Sequence, residues 1–217
     1  MEFVIASHNK KKIREIDAIL GVLGIAFEPL PEGAPEPEEN GATFEENALI
    51  KARAACRLTG KPAIADDSGL TVDALDGAPG VYSARYGSAE YLELARARGW
   101  QADFAPLPPG ADDADRCGCL LRNLASVPDG KRQASFVSAI ACVFPNGDEL
   151  TVRGSCPGEL MREAHGTGGF GYDPLFWYAD AGCTFAELPA EEKNKISHRA
   201  RALQKMKQAL GEYYAEQ

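Results

Sequence analysis

The chain has 217 residues, 45% of them hydrophobic, enough for one large domain or two small ones stabilised by burial alone. A formal net charge of -9 and a pI near 4.9 exclude a broad basic surface, and with it general binding to nucleic acid or to an anionic membrane. Six cysteines without a CxxC pair, an opening Met-Glu-Phe-Val-Ile-Ala-Ser with no basic leader, and no stretch able to span a bilayer point to a reduced, cytoplasmic protein.

Phe3 to Ala6 is a short β-prone run, Ser7-His8-Asn9 a loop, and Ile13, Ile16, Ile19, Leu20 and Leu23 recur at helical spacing. The chain therefore opens as strand, loop and helix. Pro29 to Glu39 is rich in Pro and Glu and reads as an exposed acidic loop. Thr43 then opens a second helix with Phe44, Ala48, Ala52 and Ala55 on one face, ended by Gly60-Lys61-Pro62. Ala63 to Ala65 reads as a buried strand running into Asp66-Asp67-Ser68-Gly69, with Leu70 to Leu75 as a further apolar segment. Residues 88–98 and 114–125 look helical, separated by the Pro-rich loop 99–113. The Asn146-Gly147 step predicts a hairpin between 136–144 and 149–153. From Ser197 a closing helix places Ala200, Leu203, Met206, Leu210 and Tyr213 on one face. Helices before and after a strand-rich middle predict an α/β fold with a mixed sheet in two lobes.

Five stretches carry residues capable of chemistry. Ser7-His8-Asn9-Lys10-Lys11-Lys12 lies between the first strand and helix, where free backbone N–H groups and a positive dipole favour phosphate. With Asn9 as N-cap, three lysines crowd the first turn, each opposing the dipole by roughly 0.3–1 kcal/mol, which an incoming anion would relieve. Thr43 and Glu46 fit the capping-box spacing, a structural role, while Asn47 and Lys51 share a helical face and can reach one ligand. In Asp66-Asp67-Ser68-Gly69, side chains alternate if the strand continues, so only one aspartate faces a given cleft; the alternative is an Asx-turn at a strand end. Gly166 to Pro174 matches GxGxxG literally, but Asp173-Pro174 resists the helix a dinucleotide fingerprint must open. Its Phe170 and Tyr172 suit stacking on a flat base, or a core. Ser197 as N-cap puts His198 and Arg199 in a first helical turn, the wrong end for cations unless they face a ligand oxygen.

The order of these motifs, with Gly77-Ala-Pro-Gly-Val-Tyr-Ser-Ala-Arg-Tyr86 and Glu191-Glu-Lys-x-x-Ile-Ser-His-Arg199 added, resembles the inosine triphosphatase (Ham1-type) family over essentially the whole chain. The resemblance implies one domain over residues 1–217, an elongated two-lobed α/β fold with a central mixed, twisted sheet flanked by helices, an active-site cleft between the lobes, and a homodimer. It implies hydrolysis of deaminated purine nucleoside triphosphates (ITP, dITP, XTP) between the α- and β-phosphates, with Mg2+. By position, Ser7 to Lys12 and Lys51 would hold the triphosphate, Glu46 and Asp67 the metal, and Asp67 would be the general base. Ser68 would contact substrate, Phe170, Gly171, Tyr172 and Asp173 would flank the base, and Lys193, His198 and Arg199 would read its edge. Ser7 stands where the family more often has Thr, and residues 87–113, with Trp100 and Phe104, form a longer segment than the family leads one to expect. A Maf-like pyrophosphatase of modified pyrimidine nucleotides and a non-catalytic nucleotide-binding regulator are the competing readings.

Overall fold

A computed structural model describes residues 2–100 and 104–215, with Lys11 described by its backbone alone. The apolar opening run forms strand β1 (Glu2–Ile5), buried except at Glu2, and α1 (Lys10–Leu20) follows after a four-residue loop. A 3₁₀ turn (Gly21–Leu23) leads into β2 (Ala26–Pro29), a strand the sequence reading did not assign and whose last residue, Pro29, it placed in the acidic loop. Helix α2 (Phe44–Thr59) begins at the Thr43 cap and leads to β3 (Ala63–Val72). Both β2 and β3 pair with β1 in parallel, the arrangement a crossover helix makes possible.

Downstream, α3 (Ala89–Ala97) and α4 (Asp113–Asn123) precede the hairpin of β4 (Gln133–Val143) and β5 (Glu149–Leu160). The hairpin turn is where Asn-Gly placed it: Gly147 adopts φ 96°, and backbone bonds from Phe144 N to Asp148 O and from Gly147 N to Phe144 O close it. Short strands β6 (Phe176–Tyr178) and β7 (Cys183–Thr184) continue antiparallel from β5, before α5 (Ala190–Ile196) and α6 (His198–Ala215). The seven strands form one open mixed sheet in the order β2-β1-β3-β4-β5-β6-β7, flanked by helices.

The chain divides into two compact units. The first comprises residues 1–68, 137–155 and 194–217. Its core joins Phe3 and Ile5 of β1, Ile16 and Leu20 of α1, Ile64 of β3 and Ile140 of β4 to Leu203, Met206 and Leu210 of α6. The apolar stripe expected on the closing helix is the face that packs here. The second unit comprises residues 69–136 and 156–193, with Phe136, Phe176 and Phe185 clustered at ring separations of 4.6–5.8 Å. Trp100 and Phe104, from the long 87–113 segment, pack in this unit 6.0 Å from Tyr82 and 6.1 Å from Tyr86. Residues 101–103 of that segment lie outside the described residues. All six cysteines are free thiols, and no described helix is long and apolar enough to cross a membrane.

Candidate active site

Strand β3 runs without interruption through Asp66-Asp67-Ser68-Gly69, so the Asx-turn alternative gives way to continuous pleating. The pleat sends the two aspartates to different surroundings, both within the first unit. Asp66 is buried and accepts from Ser138 Oγ at 2.6 Å and Ser68 Oγ at 3.1 Å; Lys12 Nζ lies 2.6 Å away and Arg199 Nη2 3.4 Å. Burial alone would raise its pKa, but Arg199 and then Lys12 outweigh that and hold it well below the usual carboxylate range. The cationic starts of α1 and α6 therefore converge on one buried carboxylate. Arg199, itself 2% exposed, also ion-pairs with Glu15 at 2.6 Å and donates to Ser68 Oγ at 3.0 Å.

Asp67 looks the other way. Lys51 Nζ donates to it at 2.8 Å and Asn47 Nδ2 at 3.4 Å, both from the helical face read from the sequence. Burial pushes its pKa up to about 6; Lys51 pulls it down, and the nearby Glu39 charge pushes it up again. Glu39 lies 3.3 Å from Lys51 Nζ, so this ammonium sits between two carboxylates. Lys51 is held charged: burial opposes this, but Asp67 and then Glu39 override it.

Glu46 is elsewhere. Its Oε2 accepts from the amides of Ala42 at 2.6 Å and Thr43 at 3.3 Å, while Thr43 Oγ1 accepts from Glu46 N. Both halves of the capping box form, and the side chain is committed to the start of α2. Glu39, in the acidic loop, is the carboxylate that tertiary structure brings beside Asp67 and Lys51. No sequence spacing announces it, because a loop has no periodicity.

At the start of α1, Asn9 is the N-cap, accepting from Lys12 N at 3.3 Å, and Ser7 Oγ accepts from Asn9 N at 3.1 Å. Lys12 turns inward to Asp66, whereas Lys10 is exposed and exposed His8 lies 4.0 Å from Glu36. The Lys11 side chain is outside what the structure describes. Ser7, Asn9, Lys12, Glu39, Lys51 and Asp66 are among the residues lining a cavity of about 380 Å³. Ser197 caps α6 by accepting from Ala200 N at 3.2 Å, which places His198, buried, as its first residue. A Cβ on Gly154 of β5 would stand 2.2 Å from His198 O, so only glycine lets α6 start this close to the sheet.

In the second unit the glycine-rich loop leads into a 3₁₀ turn (Asp173–Leu175) and not into an α-helix, in keeping with the rejection of a dinucleotide fold. Phe170 is half-buried with Lys193 Nζ 4.7 Å from its ring centre. Tyr172 differs: it is 4% exposed and its hydroxyl donates to Ser83 O at 2.8 Å, so it anchors the loop in the core. Asp173, also buried, accepts from the Phe170 amide at 2.9 Å and ion-pairs with Lys193.

Comparison identifies a family: the model of the Ham1 family matches residues 3–209. The chain belongs to the Ham1 family. It is 46% identical over 213 residues to the "dITP/XTP pyrophosphatase" of Pseudomonas aeruginosa, covering 97% of each chain. It is 49% identical over 200 residues to that of Symbiobacterium thermophilum, covering 92% of this chain and 90% of the relative. Among solved structures, a Ham1 protein from Coxiella burnetii superposes with a TM-score of 0.83 at 42% identity, covering 98% of this chain and 99% of that one. The Staphylococcus aureus Ham1 protein gives 0.81 at 34% identity, covering 98% and 100%. Likeness to the Ham1 proteins thus extends over both compact units.

Proposed function

We propose that this chain is a nucleoside triphosphate pyrophosphatase that hydrolyses ITP, dITP and XTP to the monophosphate and pyrophosphate, clearing deaminated purines from the nucleotide pool. The observation that carries the reading is Asp67. It is a buried carboxylate with a pKa near 6, bonded to Lys51, which lines the cavity that Asp66 and not Asp67 faces, in a chain related end to end to proteins of that activity. A base tuned near the working pH is what proton removal from an attacking water requires.

Asp67 takes the water's proton as oxygen attacks the α-phosphorus and the bond to the β-phosphate bridging oxygen breaks. Lys51, Lys12 and the positive end of the α1 dipole meet the negative charge that gathers on the departing pyrophosphate. Ser7, His8 and Asn9 line the same cavity and, with Lys10 and Lys11, are proposed to contact the triphosphate, and Ser68 orients Arg199 and Asp66. Phe170 flanks the purine, with Lys193, His198 and Arg199 as donors toward its 6-keto oxygen. Adenine, with an amino group there, would leave such donors unpaired and is rejected.

The donor set fits a hard divalent cation such as magnesium. Asp67 and Glu39, which both face Lys51, would supply the oxygen ligands such an ion prefers. Glu39 is a better second carboxylate than Glu46, which the α2 cap occupies. When bound, such an ion neutralises phosphate oxygens. A cytoplasmic homodimer is the proposed working form. The test is release of pyrophosphate from ITP, dITP, XTP, ATP, GTP and modified pyrimidine triphosphates with and without magnesium. Turnover restricted to the first three supports the reading; equal turnover of all six, or preference for pyrimidines, rejects it.

A further inference from the structure

The glycine-rich loop would be mobile if its own backbone were all that held it, since Gly166, Gly169 and Gly171 adopt φ of 81°, 70° and 61°. Helix α4 grips it at the tip. Asp113 Oδ2 accepts from the Gly171 amide at 2.7 Å, and Cys117, one turn further along the same helix, donates its Sγ–H toward Gly171 O at 3.5 Å. Both polar groups of one peptide-bearing residue are therefore met by a single helix face, at the residue next to Phe170. Asp113 is itself held: its other oxygen ion-pairs with Arg116, whose Nη1 donates to Ala111 O at 2.8 Å, and the start of α4 is independently capped by Asp112 accepting from Asp115 N at 2.9 Å. The long 87–113 segment that delivers Asp113 is tied back by Leu107 N donating to Gly87 O at 2.8 Å. All of these contacts lie within the second unit.

We propose that Asp113 is a positioning residue for nucleobase recognition: through the Gly171 amide, assisted by Cys117, it sets where Phe170 stands. The helix cap is made by Asp112 and Asp115, and the bond from the Gly171 amide to Asp113 is what joins the start of α4 to the loop. This inference rests on the proposed pyrophosphatase reading and deepens it.

The test compares D113A, D113N and C117A in the full chain. Asn keeps an acceptor for the Gly171 amide; Ala does not. D113A is expected to raise KM for ITP about threefold to tenfold, the worth of one lost hydrogen bond, with kcat within about twofold of the parent and a smaller preference for ITP over GTP. D113N should restore most of the KM. Hydrogen exchange at the Gly171 amide, read without nucleotide, should accelerate in D113A and stay near the parental rate in D113N. If D113A does not fold, C117A carries the KM test, with a smaller rise in the same direction. Accelerated exchange with unchanged KM and unchanged base preference, or a fall confined to kcat, overturns the proposal while leaving the pyrophosphatase reading intact. A parent that cleaves no triphosphate is seen before any variant is compared and removes both.

Discussion

Asp66 and Asp67 are chemically identical neighbours made different by one turn of the pleat. Asp66, surrounded by Lys12, Arg199, Ser138 and Ser68, is ionised and satisfied; Asp67, beside Lys51 and Glu39, holds its proton to about pH 6. Replacing Asp67 with Asn is expected to lower turnover at least about 100-fold with nucleotide binding retained, read by steady-state rates and titration calorimetry. Without metal, the folded chain binds Asp67's proton more tightly than the unfolded chain does. That contribution to stability is therefore complete below about pH 3.8 and lost as pH rises through about 6. D67N should abolish the loss and, in metal-free buffer, gain up to about 3 kcal/mol on the parent between pH 4 and pH 7, less whatever Lys51 forfeits, as urea titrations at both pH values would show. Of the two glutamates, E39Q should weaken manganese binding in calorimetry more than tenfold. E46Q, whose amide still serves the capping box, should change it less than threefold; the reverse order would return the ligand role to Glu46.

At the scale of elements, helix starts do the positioning. Asn9, Thr43 and Ser197 were legible as caps because capping is local chemistry, and each fixes where a cluster of functional side chains begins. What a cap cannot specify is the surface the helix start meets. For α6 that is Gly154, whose role appears only when β5 and α6 are brought together. G154A would force a Cβ to within 2.2 Å of His198 O and 2.4 Å of Ala202 N. It is expected to cost about 1–3 kcal/mol in denaturant unfolding and to reduce activity by displacing His198 and Arg199. The continuity of β3 was likewise undecided locally. Gly69 invites a turn, yet its missing side chain is required because a Cβ there would meet Ser83 Oγ at 2.4 Å, with Ser83 in turn accepting from Leu70 N at 2.9 Å.

For the whole molecule, a net charge of -9 predicts no retention on immobilised double-stranded DNA at about 0.15 M salt, which column binding would check. Light scattering should give twice the 23.3 kDa of the chain for the proposed homodimer, and a monomer mass at micromolar concentration would reject it. Local sequence by itself determined the periodic elements, the hairpin turn, the caps and the ordered set of motifs, because each depends on residues within a few positions of one another. Whether Asp66 or Asp67 faces the cavity, that Glu39 and not Glu46 stands beside Lys51, that Tyr172 anchors the loop while Phe170 stays accessible, and that Asp113 reaches Gly171 were decided only by tertiary structure. Those pairs are joined through separate elements of the fold, and no regular spacing along a chain encodes the direction in which a loop side chain points.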